Sequence, residues 1–138
     1  MQTMEKLTAT TLQSSPLTHS RLKYLAAMAH TSEDHISRLG MGLSLAEGKV
    51  DSVWSTKSIP SEVGLLDSMN EKKLRGRTLF KDELAIWMAL VLRHQTPADY
   101  DEWRQVMRSH WERGVEILME KSIDSGDWLR TIRTCLPN

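Results

Sequence analysis

"RLKYLAAMAHTSEDHISRLGMGLSLAEG", Arg21 to Gly48, carries the pattern that decides the fold. Leu22, Leu25, Ala26 and Ala29 recur at i, i+3, i+4 and i+7, which is one face of a helix. Ser32 then stands where an N-cap belongs, because its short side chain can accept from an amide of the following turn. Ile36, Leu39, Leu43 and Ala46 mark the buried face of a second helix, and Gly48 sits at its end, where glycine is favoured. Gly40 and Gly42 inside that helix cost about 1 kcal/mol each against alanine. Their presence predicts a close helix–helix approach. Two helices joined by a tight turn have the outline of a helix-turn-helix, a pattern that many unrelated folds share.

Outward from this pair the same periodicity continues. Toward the C-terminus, Lys81 to His94 reads as a third helix. Pro97 opens a fourth, at a position where its missing N–H costs nothing. In it Trp103, Val106, Met107, His110, Trp111, Gly114, Ile117 and Leu118 form a wide apolar stripe ending near Lys121. The tail "GDWLRTIRTCL" is a short amphipathic piece that would cap a bundle. Between the second and third helices, Lys49 to Asn70 holds Pro60, Gly64 and several serines, and no period persists. It reads as a long surface loop with at most one short helix near Glu62 to Met69, and loops of that length in compact domains are usually functional. Residues 1–16 are polar and rich in Thr and Ser, a flexible segment or one short strand around Lys6 to Leu12. The expected fold is therefore all-α: one domain over 17–138, with four main helices and a long central loop.

Composition excludes several classes of function. The 138 residues carry 18 basic and 18 acidic side chains, so the chain as a whole is no polycation. Attraction to nucleic acid would have to come from local clustering. Cys135 is the single cysteine, so neither a disulfide framework nor a cysteine metal site is available, which fits the cytoplasm. The first twenty residues lack the apolar core of a signal peptide. The longest apolar run, Leu84 to Leu92, falls well short of the roughly 20 residues of a membrane span.

No HExxH, CxxC, GxGxxG or phosphate-loop motif is present. His19, His30, His35, His94 and His110 show no ligand spacing, so no metal is expected. His110 lies on the apolar stripe and reads as a satisfied core histidine. The pairs Asp82–Glu83 and Asp101–Glu102 open helices, where acids complement the helix dipole. Neither serine nor cysteine has a histidine partner at a spacing that suggests nucleophilic catalysis. No catalytic residue and no cofactor is expected.

Charge is what remains. Lys72, Lys73, Arg75, Arg77 and Lys81 put five cations within ten residues with no acid among them. Residues 82–138, by contrast, hold seven basic against ten acidic side chains. Arg21 and Lys23 add a smaller cationic pair. Such runs arise as plain solvated faces or as phosphate-binding surfaces, and phosphate contact needs only cations and backbone donors on a shaped surface.

Three ordered blocks resemble the DndE family, the small subunit of bacterial DNA sulfur modification systems. In the first, Leu22–Lys23, Arg38–Leu39 and Ser44-Leu45-Ala46-Glu47-Gly48 match the family's basic opening, its Arg-Leu step and its Ser-Leu-x-x-Gly ending. In the second, "GRTLFKDELAIWMALVLRHQ", Thr78, Leu79 and Glu83 correspond. In the third, "RSHWERGVEIL", His110, Arg113 and Gly114 keep the family's His, then Arg-Gly, spacing. The resemblance spans about residues 18 to 121. It implies a small helical protein that forms a homo-oligomer, a tetramer in the known case, and binds duplex DNA, preferentially at nicks, through surface basic residues. It further implies work beside a sulfurtransferase-like subunit and an ATPase subunit, which together replace a non-bridging phosphate oxygen with sulfur and so mark host DNA for a restriction system. The sequence therefore leads to the expectation of a non-catalytic, cytoplasmic DNA-binding subunit of a phosphorothioation complex, with Arg21, Lys23, Lys72, Lys73, Arg75, Arg77 and Lys81 on the phosphate. Two other readings stay open: a structural adaptor that holds the modification enzymes together and rarely touches DNA, and a nicking enzyme using His110 or acidic residues.

Overall fold

The computed structural model describes residues 2–137, and helices dominate them. They run α1 (Gln2–Ala9), α2 (Pro16–Ala29), α3 (Glu33–Glu47), α4 (Gly76–Phe80), α5 (Leu84–Leu92), α6 (Tyr100–Ser125) and α7 (Trp128–Cys135). Two short strands, β1 (Thr11–Gln13) and β2 (Lys73–Arg75), pair antiparallel with Leu12 opposite Leu74. The mostly helical expectation holds. Among the described residues, however, the fold is not purely α, and seven helices stand where four main ones were expected.

The pair that opened the sequence reading forms as expected. Ser15 and Ser32 cap α2 and α3, their hydroxyls accepting from Thr18 N and His35 N. Gly48 ends α3 with φ 102°. The buried face of α3 is rotated, though: Gly40, Met41, Ser44 and Leu45 join Ile36 inside, while Leu39 and Leu43 are only half-buried and Ala46 is exposed. The cause is the crossing with α6. A Cβ on Gly40 would stand 2.9 Å from the carbonyl carbon of Gly114, and one on Gly114 would overlap the carbonyl oxygen of Gly40. The two backbones touch, so both positions exclude any side chain. The close approach expected of Gly40 is thus real, whereas Gly42 faces open space.

α6 begins at Tyr100 with Asp99 as cap, and extends past Lys121 to Ser125. Its expected stripe is buried, apart from a half-buried Ile117. Within residues 2–16, α1 and β1 dock on the core through Leu7 and Leu12, each fully buried. Period alone marks neither clearly, because α1 spans little more than two turns and β1 only three residues. The stretch 49–70 is irregular as read, but its helical part is a 3-10 turn at Pro60–Glu62 rather than a helix to Met69.

Replacing Gly114 with alanine forces two backbones apart and should cost about 3 kcal/mol or more in chemical denaturation. Gly42→Ala, in open space on α3, should be neutral or stabilising by up to about 1 kcal/mol. Equal effects of the two would contradict the crossing.

Candidate nucleic-acid interface

The 72–81 cluster does not lie at the entrance of a long helix, as its sequence suggested. Residues 73–75 form β2 and 76–80 form α4, and the apolar helix starts only at Leu84. β2 alternates exposed–buried–exposed, so Lys73 and Arg75 face solvent and Leu74 faces the core. Arg77 and Lys81 are also exposed. Among the described residues, none of these four cations has a carboxylate within ion-pair distance. Lys81 closes α4 with φ 53°, a left-handed conformation that a lysine adopts only under strain.

Gly76 plays a different part from the one its place in the cluster suggests. It is buried, its N–H donates to the Thr10 carbonyl at 2.8 Å, and a Cβ there would overlap the carbonyl oxygen of Leu7. The glycine admits the end of α1, not a ligand. Arg38 of α3 fixes α4 from the other side, donating through Nη1 to the Thr78 carbonyl at 3.0 Å.

Three of the expected phosphate contacts are otherwise engaged. Arg21 is fully buried. Its Nε and Nη2 fork onto Glu62 at 2.8 and 2.9 Å, and the rest of the guanidinium reaches Thr56 and the Lys57 carbonyl, with Glu116 at 3.5 Å. Glu116 in turn accepts from Thr56 Oγ1 and Lys57 N. Arg21 therefore pins the 49–70 strap to α2 and α6 and has no exposed surface to offer DNA. Lys72 is mostly covered and lies 3.1 Å from Glu33, which also faces His19 at 3.4 Å. Lys23 is exposed but paired with Asp67 of the strap at 3.0 Å, a contact that solvent weakens. A chain position between a serine and a leucine gives no hint of Arg21's burial, because Glu62 and Glu116 reach it from distant segments.

His110 is buried and lies beside Ser44, with Nδ1 2.8 Å from the Ser44 hydroxyl. That hydroxyl accepts from Arg113 Nε at 2.8 Å, which leaves its own proton free for the imidazole. Nε2 has no partner among the described residues. Burial, then the Arg113 guanidinium, then His94 push the His110 pKa down to about 4, so the ring is neutral. Arg113 also bonds the carbonyls of Ser44, Gly48 and Lys49 and ties off the end of α3. The Ser-His pair is sealed from solvent by the α3–α6 crossing.

One further surface stands out. α5 is the nine-residue run LAIWMALVL, with no polar side chain. Leu84 and Val91 are buried, and Trp87, Met88 and Leu90 half-buried. Ile86 is 58 % exposed and Leu92 51 %. A helix that is apolar all round belongs inside a protein, yet one side of this one is open to solvent. The spacing of hydrophobic residues could not show this, since every position reads as core. No described helix is long and apolar enough to cross a membrane.

Two outcomes follow. Arg21→Gln leaves Glu62 buried without its cation and should lower stability by about 3 kcal/mol, read by denaturant titration. Unfolding exposes His110 to its ordinary pKa of about 6.5, so the unfolded chain takes up a proton that the folded chain refuses. Stability should therefore fall as pH drops from 6.5 to 4, by at most about 3 kcal/mol from this residue, and His110→Gln should lose less over that interval. A variant with the same acid limb as the parent would contradict the buried neutral ring. Compared with known proteins, the chain matches no family model, no curated protein and no solved structure.

Proposed function

We propose that this chain is a non-catalytic, cytoplasmic, duplex-DNA-binding subunit of a DNA phosphorothioate modification complex. The observation that carries the binding part is the exposed set Lys73, Arg75, Arg77 and Lys81, gathered on β2 and α4 with no carboxylate within ion-pair distance among the described residues. In a chain with equal numbers of acids and bases, an uncompensated cluster costs self-repulsion that an external polyanion relieves. Arginines at 75 and 77 suit phosphate, since each guanidinium offers a planar fork of donors. Contacts of this kind read no base, so binding would be indifferent to sequence, nicked duplex included. The modification system, with its sulfurtransferase-like and ATPase subunits, rests on the resemblance to the DndE family set out above.

The buried positions of His110 and Ser44 support the non-catalytic part over the nicking reading, because neither can meet a phosphodiester without separating α3 from α6. The open face of α5 supports a homo-oligomer, a tetramer by the same resemblance. It equally favours the adaptor reading, in which that face holds another subunit and the cations are only solvated.

Titration of a labelled duplex at several salt concentrations separates the two. Lys73, Arg75, Arg77 and Lys81 replaced together by Gln should weaken binding on every sequence and flatten the logarithmic salt slope by roughly 2 to 4 units. A folded variant with the parental slope would leave the adaptor reading standing. For assembly, light scattering should show an oligomer for the parent and a smaller species for Ile86→Glu with Leu92→Glu. A strict monomer at micromolar concentration would contradict self-association.

A further inference from the structure

The unpaired cations do not end at β2. Thr11 stands opposite Arg75 and Gln13 opposite Lys73, and all four are exposed while Leu12 and Leu74 between them are buried. These four side chains share the solvent face of the ribbon. Gly76 N donates to the Thr10 carbonyl and Ser14 N to the Lys72 carbonyl, which puts positions 10, 12 and 14 in the hydrogen-bonded pairs. The Thr11 carbonyl therefore points away from β2, to the free edge of β1. Arg104 of α6 donates to that carbonyl through Nη2 at 3.4 Å. Its guanidinium lies along the free edge, one strand beyond Arg75.

A carbonyl satisfies one of the five guanidinium donors and none of the charge. Asp101 lies one turn before Arg104, yet the two form no ion pair, and Arg108 one turn after is held by Glu112 at 2.7 Å. Lys6 of α1 reaches the same edge. Its ammonium stands 5.4 Å from the centre of the Tyr100 ring, and the Tyr100 hydroxyl donates to Thr10 Oγ1 at 2.7 Å. Tyr100 is one helical turn before Arg104. Two cations thus flank the strand opposite the cluster already described. Glu71 borders this surface, engaged by Gln13 at 3.5 Å, and exposed Asp82 and Glu83 follow Lys81 in the chain.

We infer that the phosphate-contacting surface crosses the ribbon, with Arg104 and Lys6 as its second rim, so that the DNA backbone lies over β1 and β2 and not along the 73–81 segment alone. This rests on the DNA-binding reading and adds two contacts from helices remote in sequence. The first rim is legible as a charge run, whereas the second consists of single cations that only the fold brings alongside.

The test is the salt dependence of duplex binding for Lys6→Gln with Arg104→Gln, beside the Gln variant of the 73–81 cations, with Arg130→Gln and Arg133→Gln on α7 as a control. The rim variant should flatten the slope by about 1 to 2 units. Arg104→Lys, which keeps the charge and loses the fork, should retain the parental slope, and the control should not change it. A flattened cluster variant beside an unchanged rim variant would overturn this inference and leave the DNA-binding reading intact. No change in either would overturn both. Arg104→Lys behaving like Arg104→Gln would assign Arg104 to holding β1 in place and so reject it as a phosphate contact.

Discussion

The backbone contact between Gly40 and Gly114 sets the distance between α3 and α6, and most of the remaining structure is built at that distance. With the two helices touching, Ser37 comes within 2.9 Å of the Trp111 indole nitrogen, and Ser44 meets both His110 and Arg113. Each of these bonds satisfies a buried polar group that would otherwise cost about 1–3 kcal/mol. A wider crossing would open all of them together and admit water to His110. The short side chains at 37, 40 and 44 therefore form one seam, with serines donating and accepting where the glycine lets them reach.

Around that seam, buried charges tie down the parts that have no regular structure. Arg21 with Glu62 and Glu116 holds the strap across α2 and α6. Glu112 receives the Ser15 amide and the Thr18 hydroxyl, and so fixes the start of α2 while its other oxygen takes Arg108. Carboxylates at 33, 62, 112 and 116 are thereby committed to internal cations and amides. The consequence appears at the surface. Over β2 and α4, Lys73, Arg75, Arg77 and Lys81 stay exposed, with no carboxylate within ion-pair distance among the described residues. On this account, the charge asymmetry that suits DNA binding follows from how the interior spends its acids.

The helices with long periodic faces, α2, α3 and α6, were legible because 3.6-residue spacing over four or more turns leaves little choice. Ser32 as a cap and Gly48 were legible for the same local reason. α1, β1 and β2 were not, because each is short and is stabilised by its neighbours: Leu12 and Leu74 are buried only once the ribbon forms. The candidate site divides similarly. Lys73, Arg75, Arg77 and Lys81 announce themselves as a run without acids. Arg21 and Lys72 look equally available in sequence but are neutralised by Glu62 and Glu33, partners 41 and 39 positions away. Local charge counts cannot register a neutralising partner that arrives through tertiary packing.

Arginine side-chain NMR tests the central claim most directly, because the Nε–Hε groups report each guanidinium separately in the folded protein. On addition of duplex DNA, the resonances of Arg75 and Arg77 should shift progressively, while those of buried Arg21 and half-buried Arg113, each held in its own network, should stay in place. Unmoved Arg75 and Arg77 at saturating duplex, or shifts confined to Arg130 and Arg133 on α7, would contradict the assignment of the β2–α4 surface to phosphate.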